Sequence, residues 1–182
     1  SANGRVSVVF NGEIYNFQEL KEELKDYPFR STCDTEVIIA AYLKWGIDCI
    51  SRLNGMFAIC IFDREDDTVY LVRDRIGKKP LYYELSDGNL IFGSELKPLM
   101  AREGFQKRIR KDVLSRYLFQ QYINAPDSIF EQVYKLEPGA VLQFHYGEVK
   151  TWKYWDIKNV YHEMRKNPVT DYEQAKSELK AL

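Results

Sequence analysis

The hydrophobic pattern of this chain changes period once, and that change fixes the class of fold. Between 17 and 25, Phe17, Leu20 and Leu24 recur at i, i+3 and i+7 with charges on the opposite face. Between 34 and 45, Val37, Ile38, Ala41, Tyr42 and Trp45 mark the apolar face of a second helix, with Asp34 or Thr35 as its N-cap and Gly46 closing it. Beyond residue 56 the pattern turns to short apolar runs, rich in β-branched and aromatic residues and separated by hairpin-length turns. Helices first and antiparallel hairpins after them predict an α+β fold, with helices outside a layered antiparallel sheet. Periodicity leaves the strand order open.

A first strand is expected over 5–10, ended abruptly by Asn11-Gly12, and 47–53 is expected to form a short helical turn. Strands follow at 57–62 and 68–73 around the polar turn 64–67, then at 81–85 and 90–93 around 86–89. Helices are expected at 95–100 and 111–120, and strands at 141–145 and 151–155. The stretch 158–170 has mixed polarity and contains Pro168, so it reads as a linker; 171–182 restarts a helix and reads as the start of another domain.

With 182 residues, 45% of them hydrophobic and 29% charged, the chain can bury a substantial core, which excludes a disordered tail or a bare disulfide scaffold. Its net charge of -1 gives no general pull toward nucleic acid or an anionic membrane. Cys33, Cys49 and Cys60 are odd in number and lack a CxxC spacing, so they read as reduced thiols of a cytoplasmic protein. His145 and His162 have no third ligand near them, and no metal site is expected. The longest apolar run, Phe57 to Phe62, is far short of the roughly 20 residues a membrane helix needs. The N-terminus lacks a signal-peptide layout, and Ser1-Ala2-Asn3 reads as a cloning remnant or a cut point. Neither an SGGxDS-type pyrophosphate loop nor GxxxxGK[ST] occurs, so no ATP site is expected in this chain.

Asn11-Gly12-Glu13 is the first candidate for chemistry. As a structural element it would be a tight turn, although the following Ile14-Tyr15-Asn16 leads toward a helix and not a returning strand. As a functional one, the Asn carboxamide and a backbone N–H at the glycine can converge on an oxyanion. Arg73-Asp74-Arg75 reads as a charged turn with a structural role, and Lys78-Lys79 as a solvated turn. Trp152, Tyr154 and Trp155 read as packing of a terminal strand against a neighbouring domain rather than as a platform for a base.

Five segments occur in order: Asn11-Gly-Glu-Ile-Tyr-Asn-Phe17, Cys33-Asp-Thr-Glu-Val-Ile38, Leu53-Asn-Gly-Met-Phe-Ala58, Arg73-Asp-Arg-Ile-Gly-Lys-Lys-Pro-Leu-Tyr-Tyr83 and Gly93-Ser-Glu-Leu-Lys97. Together they resemble the glutaminase domain of glutamine-hydrolysing asparagine synthetases. The resemblance implies a class II glutamine amidotransferase with an N-terminal-nucleophile hydrolase-like αββα sandwich, here incomplete. It divides the chain into an amidotransferase domain over 1–157, a linker over 158–170 and the start of a synthetase domain over 171–182.

In that family an N-terminal cysteine, with its own α-amine as base, attacks the side-chain amide of L-glutamine. The ammonia released serves a C-terminal synthetase domain that uses ATP and Mg2+ to amidate aspartate. Carried over, Asn11 and Gly12 match the oxyanion hole, Gly12 and Glu13 match contacts to glutamine, and Asp34 matches the carboxylate that holds the α-ammonium. Taken on residue type alone, Asp34 reads first as a helix N-cap. The nucleophile and a carboxylate-gripping arginine lie upstream of the matched region in the family. The resemblance therefore implies a domain truncated at its N-terminus and inactive as the fragment given, with Ser1 no substitute. Exposed sheet edges would favour homo-oligomers. Two other readings remain open: a vestigial scaffold domain as in β-lactam-forming synthetases, and the glutaminase domain of another class II amidotransferase.

Overall fold

The computed structural model describes residue 1 and residues 3–181. Along the chain run β1 (Val6–Ile14), α1 (Phe17–Glu23), α2 (Asp34–Trp45), a 3-10 turn (Gly46–Arg52), β2 (Gly55–Asp63), β3 (Thr68–Arg73), β4 (Tyr82–Ser86), β5 (Asn89–Gly93) and α3 (Leu96–Met100). There follow α4 (Lys111–Gln120), β6 (Val133–Lys135), β7 (Ala140–His145), β8 (Glu148–Lys153), α5 (Ile157–Met164) and α6 (Tyr172–Ala181). The strands form two antiparallel sheets, ordered β1-β2-β3-β7-β8 and β5-β4-β6. The hairpins β2–β3 and β4–β5 thus fall in different sheets.

Strand β2 shows why the layers stack as they do. Phe57, Ile59 and Ile61 pack on one side with Val37, Ile38, Ala41 and Leu20 of α1 and α2. The alternate residues Ala58 and Cys60 face the other way, where Leu71 and Leu142 meet Leu81 and Leu136 and, less deeply, Tyr83 and Phe92 of the second sheet. The far side of that sheet is sealed by Leu99, Phe130 and Val133, with Leu96 and Met100 of α3 packed against them. A strand buried on both faces has no polar alternation, which is why β2 reads as a continuous apolar run. Helices, sheet, sheet, helices is the αββα sandwich.

Strand β1 does not stop at Asn11-Gly12. Pairing with β2 continues through Asn11↔Ala58, Gly12↔Phe57 and Glu13↔Met56 to Ile14↔Gly55. The glycines are needed here for close approach: a Cβ on Gly12 would lie 2.1 Å from the Met56 carbonyl oxygen, and one on Gly55 2.1 Å from that of Glu13. Asn-Gly marks close strand packing here, not a turn.

Two further expectations change. Helix α5 occupies much of the stretch read as a linker; Asp156 caps it through a bond from the Lys158 amide (2.8 Å), but none of its residues is buried. Trp152 and Tyr154 pack against this chain's own first core, and the Tyr154 hydroxyl donates to the Arg73 carbonyl (3.0 Å). The short β6 carries only three residues, too few for a period-2 signal in the sequence. The final helix matches 171–182 closely, Leu182 lying outside the described residues. Among the described residues no helix is long and apolar enough to cross a membrane.

Candidate active site

The site is built at the far end of β1. Register places Asn11 opposite Ala58 and Glu13 opposite Met56, so both side chains emerge on the face that looks toward the second sheet. Because β1 is the edge strand, they remain exposed there. From the second sheet, the residue after β5 reaches across: the Asn11 carboxamide Nδ2 donates to Ser94 Oγ at 2.9 Å.

Asp34 arrives from the helix layer. It is the first residue of α2, and the N-cap position belongs to Cys33, which makes no side-chain capping bond. The Asp34 carboxylate instead accepts from the Ile14 amide through Oδ2 (3.0 Å). That bond corrects the reading of Asp34 as a helix cap. It fastens the start of α2 to the end of β1, beside Gly12 and Glu13, and leaves Oδ1 free for a cationic group among the described contacts. Thr35 is no cap either. Glu36 folds back to accept from the Arg30 and Ser31 amides (3.0 and 2.7 Å) and shapes the approach to α2.

The remaining motif residues hold this corner rigid. Asn16 donates to the Arg52 carbonyl (3.0 Å) and accepts from the Asn54 amide (2.8 Å), and the Tyr15 amide donates to the Asn54 carbonyl (2.7 Å). Asp74 is fully buried and accepts from the amides of Phe57 (3.2 Å), Lys78 (2.8 Å) and Lys79 (2.9 Å). Phe57 is the residue opposite Gly12, so Asp74 braces β2 at the site. The Arg73 guanidinium donates to the carbonyls of Lys79, Leu136 and Gly77 at 2.7–2.9 Å, and burial lowers its pKa. Arg75 donates to the Leu53 and Ser51 carbonyls (2.6 and 2.9 Å). The structural reading of this charged segment holds, since each charge is met by backbone groups.

Two of the three cysteines are withdrawn from chemistry by burial. Cys49 and Cys60 are buried, and burial pushes each thiol up to about 12. Cys33 is exposed, and its pKa is lowered chiefly by the Ser31 hydroxyl. Ser1 sits at the opposite end of β1, where its Oγ accepts from the Val6 amide (2.9 Å). Five steps of strand run from Val6 to Asn11, about 17 Å at 3.3 Å per residue. Among the described residues no group of three His, Cys, Asp or Glu side chains converges to hold a metal ion.

Asn11, Gly12, Glu13 and Asp34 are therefore gathered at one strand end, a polar rim on an αββα sandwich. Residues 1–155 match the family described as glutamine amidotransferase domain, and the chain belongs to that family. Its relatives include asparagine synthetase (glutamine-hydrolyzing) 3 of Bacillus subtilis strain 168, 31% identical over 159 residues that cover 86% of this chain and 26% of the relative. Asparagine synthetase (glutamine-hydrolyzing) 1 of the same organism is 41% identical over 135 residues, covering 73% of this chain and 21% of the relative. The chain thus spans about a quarter of the length of these proteins. Among solved structures, glutamine phosphoribosylpyrophosphate amidotransferase from Bacillus subtilis superposes with a TM-score of 0.56 at 22% identity, covering 84% of this chain and 30% of that one. A glutamine aminotransferase class-II domain protein from Silicibacter pomeroyi gives 0.51 at 16%, covering 84% of this chain and 69% of that one. The fold is that of the class II glutamine amidotransferases.

Ser94 joins this candidate site from the second sheet. The signal was present in Gly93-Ser94-Glu95, but only the pairing of the sheets shows that a residue 83 positions away meets Asn11.

Proposed function

We propose that this chain is the glutaminase domain of a glutamine-hydrolysing asparagine synthetase. In this reading Asn11 and Gly12 stabilise the oxyanion formed at the glutamine side-chain amide, Gly12 and Glu13 contact the bound glutamine, and Asp34 holds its α-ammonium. The observation that carries the reading is the Asp34–Ile14 bond, which brings an acidic oxygen to the strand end that bears Asn11, Gly12 and Glu13. Oxyanion donors act by being fixed before the charge develops, and this corner is fixed by buried Asp74 and by the Asn16–Asn54 pair. The names of the relatives favour asparagine formation over the scaffold and amino-sugar or purine alternatives.

The nucleophilic cysteine and the arginine for the glutamine carboxylate would come from sequence outside these residues. ATP and Mg2+ would be used by a C-terminal synthetase domain, the partner that takes the ammonia. No cluster among the described residues of this chain suits the metal. The three free cysteines support a cytoplasmic, reducing location, and the exposed edge of β1 supports self-association.

The protein expressed from its complete gene should transfer label from amide-15N glutamine to asparagine when given aspartate and ATP. Glutamine hydrolysis with no labelled asparagine would move the assignment to another acceptor. Absence of glutamine hydrolysis would favour the scaffold reading.

A further inference from the structure

We propose that Ser94 is a positioning residue for the amide-hydrolysis step: it fixes the plane of the Asn11 carboxamide so that the second N–H of that group is held toward the developing oxyanion. This rests on the reading of Asn11 as an oxyanion donor. Rotation about the terminal bond of an Asn side chain is broad and nearly two-fold, so an exposed carboxamide on an edge strand has no preferred direction of its own. Asn11 is such a residue. Its Nδ2 spends one N–H on Ser94 Oγ at 2.9 Å, and because the amide group is planar, that bond sets the direction of the other.

Ser94 is itself well held. It follows Gly93, which pairs with Tyr82 in the second sheet, and it precedes α3 by two residues. A Cβ on Gly93 would sit 3.3 Å from both the Glu95 carbonyl oxygen and the Leu99 Cδ1 atom, so this turn is packed against the fully buried Leu99. The anchor for the carboxamide thus comes from the second sheet and its helix, across the mouth of the sandwich. Ser94 acts through Asn11 and need not touch glutamine. A donor held in advance loses no reorganisation energy when charge appears on the substrate.

The test is a double-mutant cycle on the protein expressed from its complete gene, read as initial rates of glutamate release. Ser94→Ala should lower kcat about 5- to 30-fold, a value inside the span of ordinary coupling energies between neighbouring groups, with KM for glutamine nearly unchanged. Ser94→Thr, which keeps the hydroxyl, should restore most of the rate. Asn11→Ala should lose about 100- to 1,000-fold in kcat, as when one oxyanion donor is removed. In that background Ser94→Ala should have no further effect. Wild-type kcat in Ser94→Ala, failure of Thr to rescue, or an additive loss in the double variant would each overturn the positioning role while leaving the Asn11 reading intact. Wild-type kcat in Asn11→Ala would instead overturn the oxyanion reading beneath it.

Discussion

Asp34 shows how one side chain can satisfy two readings until its bond is seen. An acidic residue at a helix start suits an N-cap, and nothing in the local sequence separates that from ligand binding. The structure rules out the cap alone: Cys33 holds the N-cap position, and the Asp34 Oδ2 atom is taken by the Ile14 amide, twenty residues away. The cysteines separate in the same way. Cys60 in an apolar strand was legible as a buried thiol, and Cys49 follows from the packing of the 3-10 turn. The exposure of Cys33 is a tertiary fact, whereas the Ser31 hydroxyl beside it is a neighbour two residues away in the chain. Iodoacetamide applied to the native protein near pH 7.5, a value about one unit below that of an ordinary free thiol, should alkylate Cys33 and spare Cys49 and Cys60. Peptide mapping checks this. Modification of Cys60 at a rate similar to that of Cys33 would contradict the burial described.

At the scale of elements, the pairing of β1 with β2 carries the site. Gly12→Ala should destabilise the protein by about 1–3 kcal/mol or more, because the new methyl meets backbone atoms that cannot rotate away. Urea denaturation would show the loss, and an unchanged midpoint would mean that the strands are not this close. The other end of the pair is clamped by charge. Asp63 is buried opposite Val6, bonded to Arg5 Nη2 (2.9 Å) and to the Tyr42 hydroxyl (3.1 Å). The Arg5 hydrogen bond is the main cause that holds the Asp63 carboxyl below its ordinary range. A depressed folded value makes this contribution complete above the unfolded carboxyl's value of about 3.9, and it is lost as pH falls through the folded value. The Tm deficit of Asp63→Asn should therefore be largest near neutral pH and shrink as pH falls below about 3.9, where the unfolded carboxyl takes up its proton while the folded one still resists it. A deficit constant across that range would contradict the ion pair. Most elements were legible because their apolar period was clear. The end of β1 was not, because Asn-Gly carries the same signal in a hairpin turn as in a closely packed strand.

At the scale of the molecule, the core draws on no described residue beyond Tyr154, and the two helices that follow add nothing to it. None of α5 or α6 is buried, and Ile157, Tyr161, Met164, Tyr172 and Leu179 are exposed. Removing residues 157–182 should shift stability by no more than about 0.5 kcal/mol, the usual range for surface changes. A clear loss of cooperativity in urea would contradict it. The open edge of β1, with Val9 64% exposed, should drive self-association at working concentrations. Light scattering should report a mass above the 21.5 kDa of one chain, and Val9→Lys should lower it. A single monomeric species over a wide concentration range would contradict this. The four layers could be anticipated from the family resemblance, whereas the strand orders come from long-range pairing that no local pattern encodes.

The central claim is that Asp34 and the end of β1 bind glutamine, and Asp34→Asn tests it most directly in the protein expressed from its complete gene. Asn keeps an oxygen for the Ile14 amide, so the corner survives and only the charge offered to the α-ammonium is lost. Losing one partner of a hydrogen-bonded charge pair costs about 2–5 kcal/mol, so kcat/KM for glutamine should fall by about 30-fold or more. Asparagine formation with ammonium as nitrogen donor, which bypasses this site, should be nearly unchanged. Equal kcat/KM for glutamine before and after the substitution would show that Asp34 is not a glutamine ligand.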